Sequence, residues 1–85
     1  MAHSSLASSI ADFLADLSRQ GRSVHTLRAY RGDLAAFTRI FDGAPQQVTP
    51  RVLREYLATL AGKAPATRAR HEASLASFLT WAYRA

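Results

Sequence analysis

Residues 23–37 read SVHTLRAYRGDLAAF, and their spacing decides the class of fold. Leu27, Tyr30, Leu34 and Phe37 recur at steps of three and four, and Phe41 extends the series, so one face of a helix is apolar. Ser23 is a good N-cap, because its hydroxyl can accept from an amide that the first helical turn leaves unpaired. Asp42-Gly43-Ala44-Pro45 breaks the pattern. The spacing predicts a helix from Ser23 to about Phe41.

The same period appears on either side. Leu6, Ile10, Phe13, Leu14 and Leu17 mark a helix from about Ser5 to Gln20, with Gly21 as its stop. Downstream, Thr49 caps a helix whose first position is Pro50, where a missing N–H costs nothing. Val52, Leu53, Tyr56, Leu57 and Leu60 turn its apolar face inward until Gly62. Pro65 opens a fourth helix that runs toward the C-terminus on Leu75, Phe78, Leu79 and Ala82. No segment alternates as a half-buried strand does. Alanine, the best helix former, supplies 17 of the 85 residues. The expectation is all-α: a compact four-helix bundle forming one domain over residues 6–85. Its connections at Gly21 and Gly62 should be short, and the one from Asp42 to Gln47 longer. Met1 to Ser5 is polar enough to be disordered or foreign to the native chain.

Composition narrows the function. A chain of 85 residues suits one small domain and leaves little room for a buried substrate cleft. The absence of cysteine excludes a disulfide framework, a thiolate zinc site and a cysteine nucleophile. The longest apolar run, Leu34 to Phe37, is four residues, so nothing spans a membrane. No secretory signal order opens the chain, and a cytoplasmic location is expected. Eleven Lys and Arg face six Asp and Glu, a net charge of +5. The distribution is uneven. Residues 1–18 hold Asp12 and Asp16 and no Lys or Arg, whereas Arg19 to Arg31 holds four arginines and no acid. Concentrated positive charge on a compact domain favours a polyanionic partner, and nucleic acid is the commonest.

Catalysis finds no support in the residues. His25 and Arg28 lie close in sequence to Tyr30, but Tyr30 belongs to the apolar stripe. His3, His25 and His71 sit on separate elements with no carboxylate pair to back them as metal ligands. Asp12 and Asp16 share a helix face that reads as a solvated acidic edge. No glycine-rich phosphate loop is present. No catalytic residue, no metal site and no cofactor are therefore expected.

Binding is better supported. At 100° per residue, His25, Arg28, Ala29, Gly32, Ala36 and Arg39 fall opposite the stripe of the second helix. Basic donors there border very small side chains, a surface that can approach a sugar–phosphate backbone, with Arg28 reaching phosphates or a guanine edge. Arg22, Ser23, His25 and Thr26 surround the unpaired amides at the start of that helix, an end that favours an anion. On the fourth helix, Arg68 and His71 continue the line of Leu75 and Leu79 toward the N-terminus. Polar residues on that line imply that the first two turns project beyond the core. Lys63, Thr67, Arg68, Arg70, His71 and Ser74 would then form a second basic end. Two such helix starts suggest a two-helix platform against one DNA groove.

Three motifs resemble a known family. Ser23-x-x-Thr26-x-x-x-Tyr30-x-x-Asp33-Leu34-x-x-Phe37 is similar to the second helix of the N-terminal core-binding domain of tyrosine site-specific recombinases, the phage integrase and Xer group. Thr49-Pro50 fits the start of the third helix. Ala64-Pro65-Ala66-Thr67-x-x-Arg70-x-x-x-x-Leu75-x-x-Phe78 resembles the fourth. The likeness runs from about Leu6 to Trp81, in order and in register. It implies a SAM-like helical bundle that binds one face of double-stranded DNA through its second and fourth helices. A separate C-terminal domain, carrying the nucleophilic tyrosine, grips the other face, and that domain is not among these residues. By position, Ser23, Thr26, Arg70 and His71 are the implied contacts, while Arg28 and Arg68 come from the pattern of this sequence. Two departures stand out. Ala76 stands where many members carry a basic residue, and Arg68 where many carry an aliphatic one. Other recombinase protomers on DNA are the implied protein partners, and the chain alone is expected to be a monomer. The competing expectation is a protein-interaction bundle, whose acidic edge at Asp12 and Asp16 docks on a basic neighbour.

Overall fold

The computed structural model describes residues 5–84, and the regular secondary structure within them is all helical. Four α-helices follow in order: α1 (Leu6–Arg19), α2 (Val24–Thr38), α3 (Pro50–Thr59) and α4 (Pro65–Arg84). A 3₁₀ turn, Pro45–Gln47, interrupts the longer connection between α2 and α3. No strand occurs among the described residues. Of the N-terminal segment read as disordered, residues 1–4 lie outside the described residues.

The helix starts follow the caps. Ser5, Ser23 and Thr49 each accept from the backbone amide three residues on, at 3.0, 3.1 and 3.2 Å. Pro50 and Pro65 occupy first helical positions. The end of α1 needs its glycine. Gly21 adopts φ +84°, and the amides of Gly21 and Arg22 return to the carbonyls of Ser18 and Leu17. That is a Schellman closure, and a side chain at Gly21 would be strained there. The second helix stops at Thr38, short of the Phe41 that the stripe suggested. The chain turns at Arg39 and Ile40, yet the Phe41 amide still reaches the Phe37 carbonyl and its ring stacks on Phe37 at 5.7 Å. A core contact thus outlasts the helix that aimed it.

The core lies where α1, α2 and α4 meet. Leu6, Ile10, Phe13, Leu14 and Leu17 pack against Leu34 and Phe37 and against Leu75, Phe78, Leu79 and Ala82. Val48, Tyr56 and Leu60 close the other side. Edge-on aromatic pairs tie the layers: Phe13 meets Tyr30 and Phe78, each at 5.5 Å, and Phe37 meets Tyr56 at 5.0 Å. Tyr30 is accordingly a partly buried core ring, as its place in the stripe implied.

The acidic edge of α1 differs from expectation. Asp16 accepts from the Trp81 indole at 3.2 Å and from Gln20 and Arg19. The carboxylate therefore fastens α1 to α4. Asp12 alone keeps the solvated role.

Candidate nucleic-acid interface

Opposite the core, α2 keeps the composition that its period predicted. Arg28, Ala29, Gly32, Ala36 and Arg39 line one open cleft of about 590 Å³. Its other wall comes from Tyr56, Thr59, Leu60 and Lys63 at the end of α3 and beyond, and from Arg70 and His71 on α4. Three helices thus contribute, and the small residues of α2 form a low floor between cations. Nothing in the fold requires glycine at position 32. A methyl added there meets no atom within 4 Å.

At the cleft wall lies a carboxylate that periodicity places inside the apolar stripe. Asp33 follows Tyr30 by three residues and precedes Phe37 by four. It is 4% exposed. Such a group must be paired, because an ion stripped of water without partners costs several kcal/mol. Three hydrogen bonds converge on it, with an imidazole nearby. Arg70 donates from Nη2 and Nε to its two oxygens, at 2.9 and 3.2 Å. Ser74 Oγ donates at 2.7 Å, and His71 Nε2 lies 3.6 Å away. On its other side, His71 Nδ1 is 3.1 Å from the Tyr56 hydroxyl.

In the tautomer that carries its proton on Nε2, that proton faces Asp33 and Nδ1 accepts from the Tyr56 hydroxyl. Tyr56 keeps its proton more firmly than an ordinary tyrosine. Burial of the ring raises its pKa above the usual 10.0, and the nearby charge of Asp33 raises it further. The cluster Tyr56–His71–Asp33–Ser74–Arg70 therefore ties α3, α2 and α4 together at the cleft wall.

This cluster corrects two of the sequence-based expectations. His71 and Ser74, read as part of a projecting basic end, are 8% and 7% exposed. They turn inward because Asp33 offers acceptors that the line of α4 alone does not reveal. The first two turns of α4 consequently do not project as a unit. His71 grazes the cleft wall, whereas Ser74 stands behind it. Thr67 and Arg68 are half-buried outside the cleft, and the Arg68 Nε is enclosed without a hydrogen-bond partner.

The remaining candidates separate in space. Arg28, Lys63, Arg70 and His71 meet in the cleft. Arg22 instead borders a second depression with Phe13, Leu17, Tyr30, Trp81 and Arg84. Ser23, His25 and Thr26 stay at the tip of α2, where Ser23 Oγ caps the helix and donates to the Thr26 hydroxyl at 3.1 Å. None of these three lines the cleft. Arg39 lines the cleft from the place opposite the stripe that the helical period assigns it, whereas Asp33 gains its role only from partners on another helix.

Charge in the cleft is unevenly balanced. Among the described residues, Arg28, Arg39 and Lys63 have no carboxylate within ion-pair distance, while Arg70 is bound to Asp33. No group of three or more metal-ligating side chains converges among the described residues. No helix there is long and apolar enough to cross a membrane.

Comparison with known proteins identifies the family. Residues 10–85 match the family described as phage integrase, N-terminal SAM-like domain. A protein named tyrosine recombinase XerC from Thermodesulfovibrio yellowstonii is 39% identical over 77 residues, covering 87% of this chain and 26% of that protein. Proteins of the same name from Mycobacterium tuberculosis and Mycobacterium leprae are 44% and 42% identical over 69 residues, covering 75% of this chain and 23% of each. The chain thus spans about a quarter of the length of these relatives. No solved structure matches it. What aligns is an all-α, non-catalytic unit, and the chain belongs to the phage integrase N-terminal SAM-like domain family.

Proposed function

We propose that this domain binds duplex DNA through the cleft between α2 and α4, as the non-catalytic arm of a tyrosine recombinase. One observation carries the reading: Arg28, Arg39 and Lys63, unpaired among the described residues, converge with Arg70 over a floor of Ala29, Gly32 and Ala36. Unpaired cations attract phosphates, and small side chains let a backbone come close. In the whole protein, cleavage and rejoining of DNA strands would fall to a catalytic domain outside these residues, with other protomers assembled on the same DNA. Such a protein works in the cytoplasm, where bacterial DNA is.

Affinity should be modest and dominated by released counterions. Titration of a fluorescent duplex at low and at physiological salt tests the reading. Binding is expected at low salt and should weaken steeply as salt rises. No binding at low salt, or binding indifferent to salt, contradicts it. A pull-down that recovers protein partners but no DNA would favour the interaction bundle instead.

A further inference from the structure

Arg70 differs from the other cations of the cleft in what holds it. Its Nε and Nη2 donate side-on to the two oxygens of Asp33, at 3.2 and 2.9 Å. Ser74 Oγ and the nearby His71 Nε2 occupy the same carboxylate, so Asp33 has no freedom to swing away. Asp33 stands on α2 and Arg70 on α4, which fixes the guanidinium relative to both walls. A guanidinium has five N–H groups, and the side-on pair uses two of them. Among the described residues, the end-on fork, one N–H from each Nη, has no partner. Arg70 lines the cleft, and its side chain is still 58% exposed, so that fork is open to a ligand.

Its charge is also offset, whereas Arg28, Arg39 and Lys63 have no ion-pair partner among the described residues. A compensated donor fork gains less from the charge of a phosphate than a free cation does. Its fixed geometry instead suits two neutral acceptors side by side, such as O6 and N7 of guanine. We infer that Arg70 reads a guanine edge in the major groove, and that Asp33 is the positioning residue that aims its fork. This inference rests on the DNA reading above and divides the cleft into free cations that hold the backbone and one oriented donor that reads sequence.

The test is a selection from a pool of duplexes with a randomised core, run with wild type, R70K, D33N and R28A. Wild type should enrich guanine at one position by roughly tenfold or more. R70K keeps the charge but loses the fork, and it should flatten that position, as should D33N. R28A should keep the preference while weakening all sequences alike. A second arm needs no DNA: nitrogen-edited NMR of the free chain should show the Arg70 Nε–H exchanging slowly with water in wild type and quickly in D33N. Should D33N fail to fold, R70K carries the selection.

R70K that retains the guanine preference overturns the inference, and so does an Arg70 Nε–H that exchanges freely in wild type. Bound duplexes with no guanine enrichment in wild type overturn the inference and leave the DNA reading standing. Failure of wild type to bind any duplex in the pool brings down both.

Discussion

The two halves of α4 are buried by different chemistry. Its C-terminal half inserts Leu75, Phe78, Leu79 and Ala82 into the core, with Phe78 fully enclosed against Phe13. Its N-terminal half buries His71 and Ser74 as well, but against a carboxylate and a phenol. Apolar burial is non-directional and tolerates any neighbour of suitable volume. Polar burial demands particular partners at particular angles, because each unmatched group retains its desolvation penalty. One helix therefore anchors the fold at one end and sets the geometry of the cleft at the other.

Removing a member from each half should separate the two roles. F78A opens a cavity beside Phe13 and Trp81 and should cost about 3–5 kcal/mol, a large part of what so small a domain has. Urea unfolding measures it, and a loss below about 1 kcal/mol would mean that the core is not where Phe78 lies. D33A strips Ser74 of its acceptor, removes the carboxylate beside His71 and frees Arg70, for a loss of about 2–3 kcal/mol. Solvent around the half-exposed Arg70 keeps that figure below the cost of breaking a fully buried pair. If D33A is as stable as wild type, the cluster does not hold the cleft wall.

Tyr56 offers a pH-dependent probe of the same half. Its pKa is raised in the fold, first by burial and then by Asp33, so the folded state holds the phenolic proton more tightly than the unfolded chain. The sign follows: this contribution is fully present below about pH 10 and is lost as pH rises through the folded value. Wild type should therefore lose stability above pH 10 more steeply than Y56F, which has no proton to lose. Equal alkaline slopes for the two chains would remove Tyr56 from the cluster.

The smallest expected change in stability is at the cleft floor. G32A fills open space in the middle of a helix and should stabilise the free domain by about 0.5–1 kcal/mol. The same methyl should weaken DNA binding if the backbone of the nucleic acid approaches α2 there. A domain that is both more stable and equally tight would show that the floor is not in contact.

Most of the fold was legible because it is written in local spacing. Leu27, Tyr30, Leu34 and Phe37 imply a helix whatever surrounds them, and Ser23 and Thr49 announce their own starts. The end of α2 was less legible, since Phe41 continues the apolar period after the hydrogen-bonded ladder has stopped. At the site, Arg28 and the small residues of α2 could be placed by angle alone. His71 and Ser74 could not. Their partner Asp33 is 38 and 41 residues away, and periodicity within one helix says nothing about what faces it. The same separation hid the balance of Arg70, whose charge looks free in sequence and is compensated in space.

The claim that free cations of the cleft hold DNA rests most directly on one titration. Duplex affinity measured over a series of salt concentrations should fall with a log–log slope of about −3 for wild type, near −0.9 for each phosphate met by Arg28, Arg39 and Lys63. The triple variant R28A/R39A/K63A, with helical circular dichroism unchanged, should lose nearly all of that slope. A triple variant with the affinity and slope of wild type would contradict the account, because the DNA would then be held by another face.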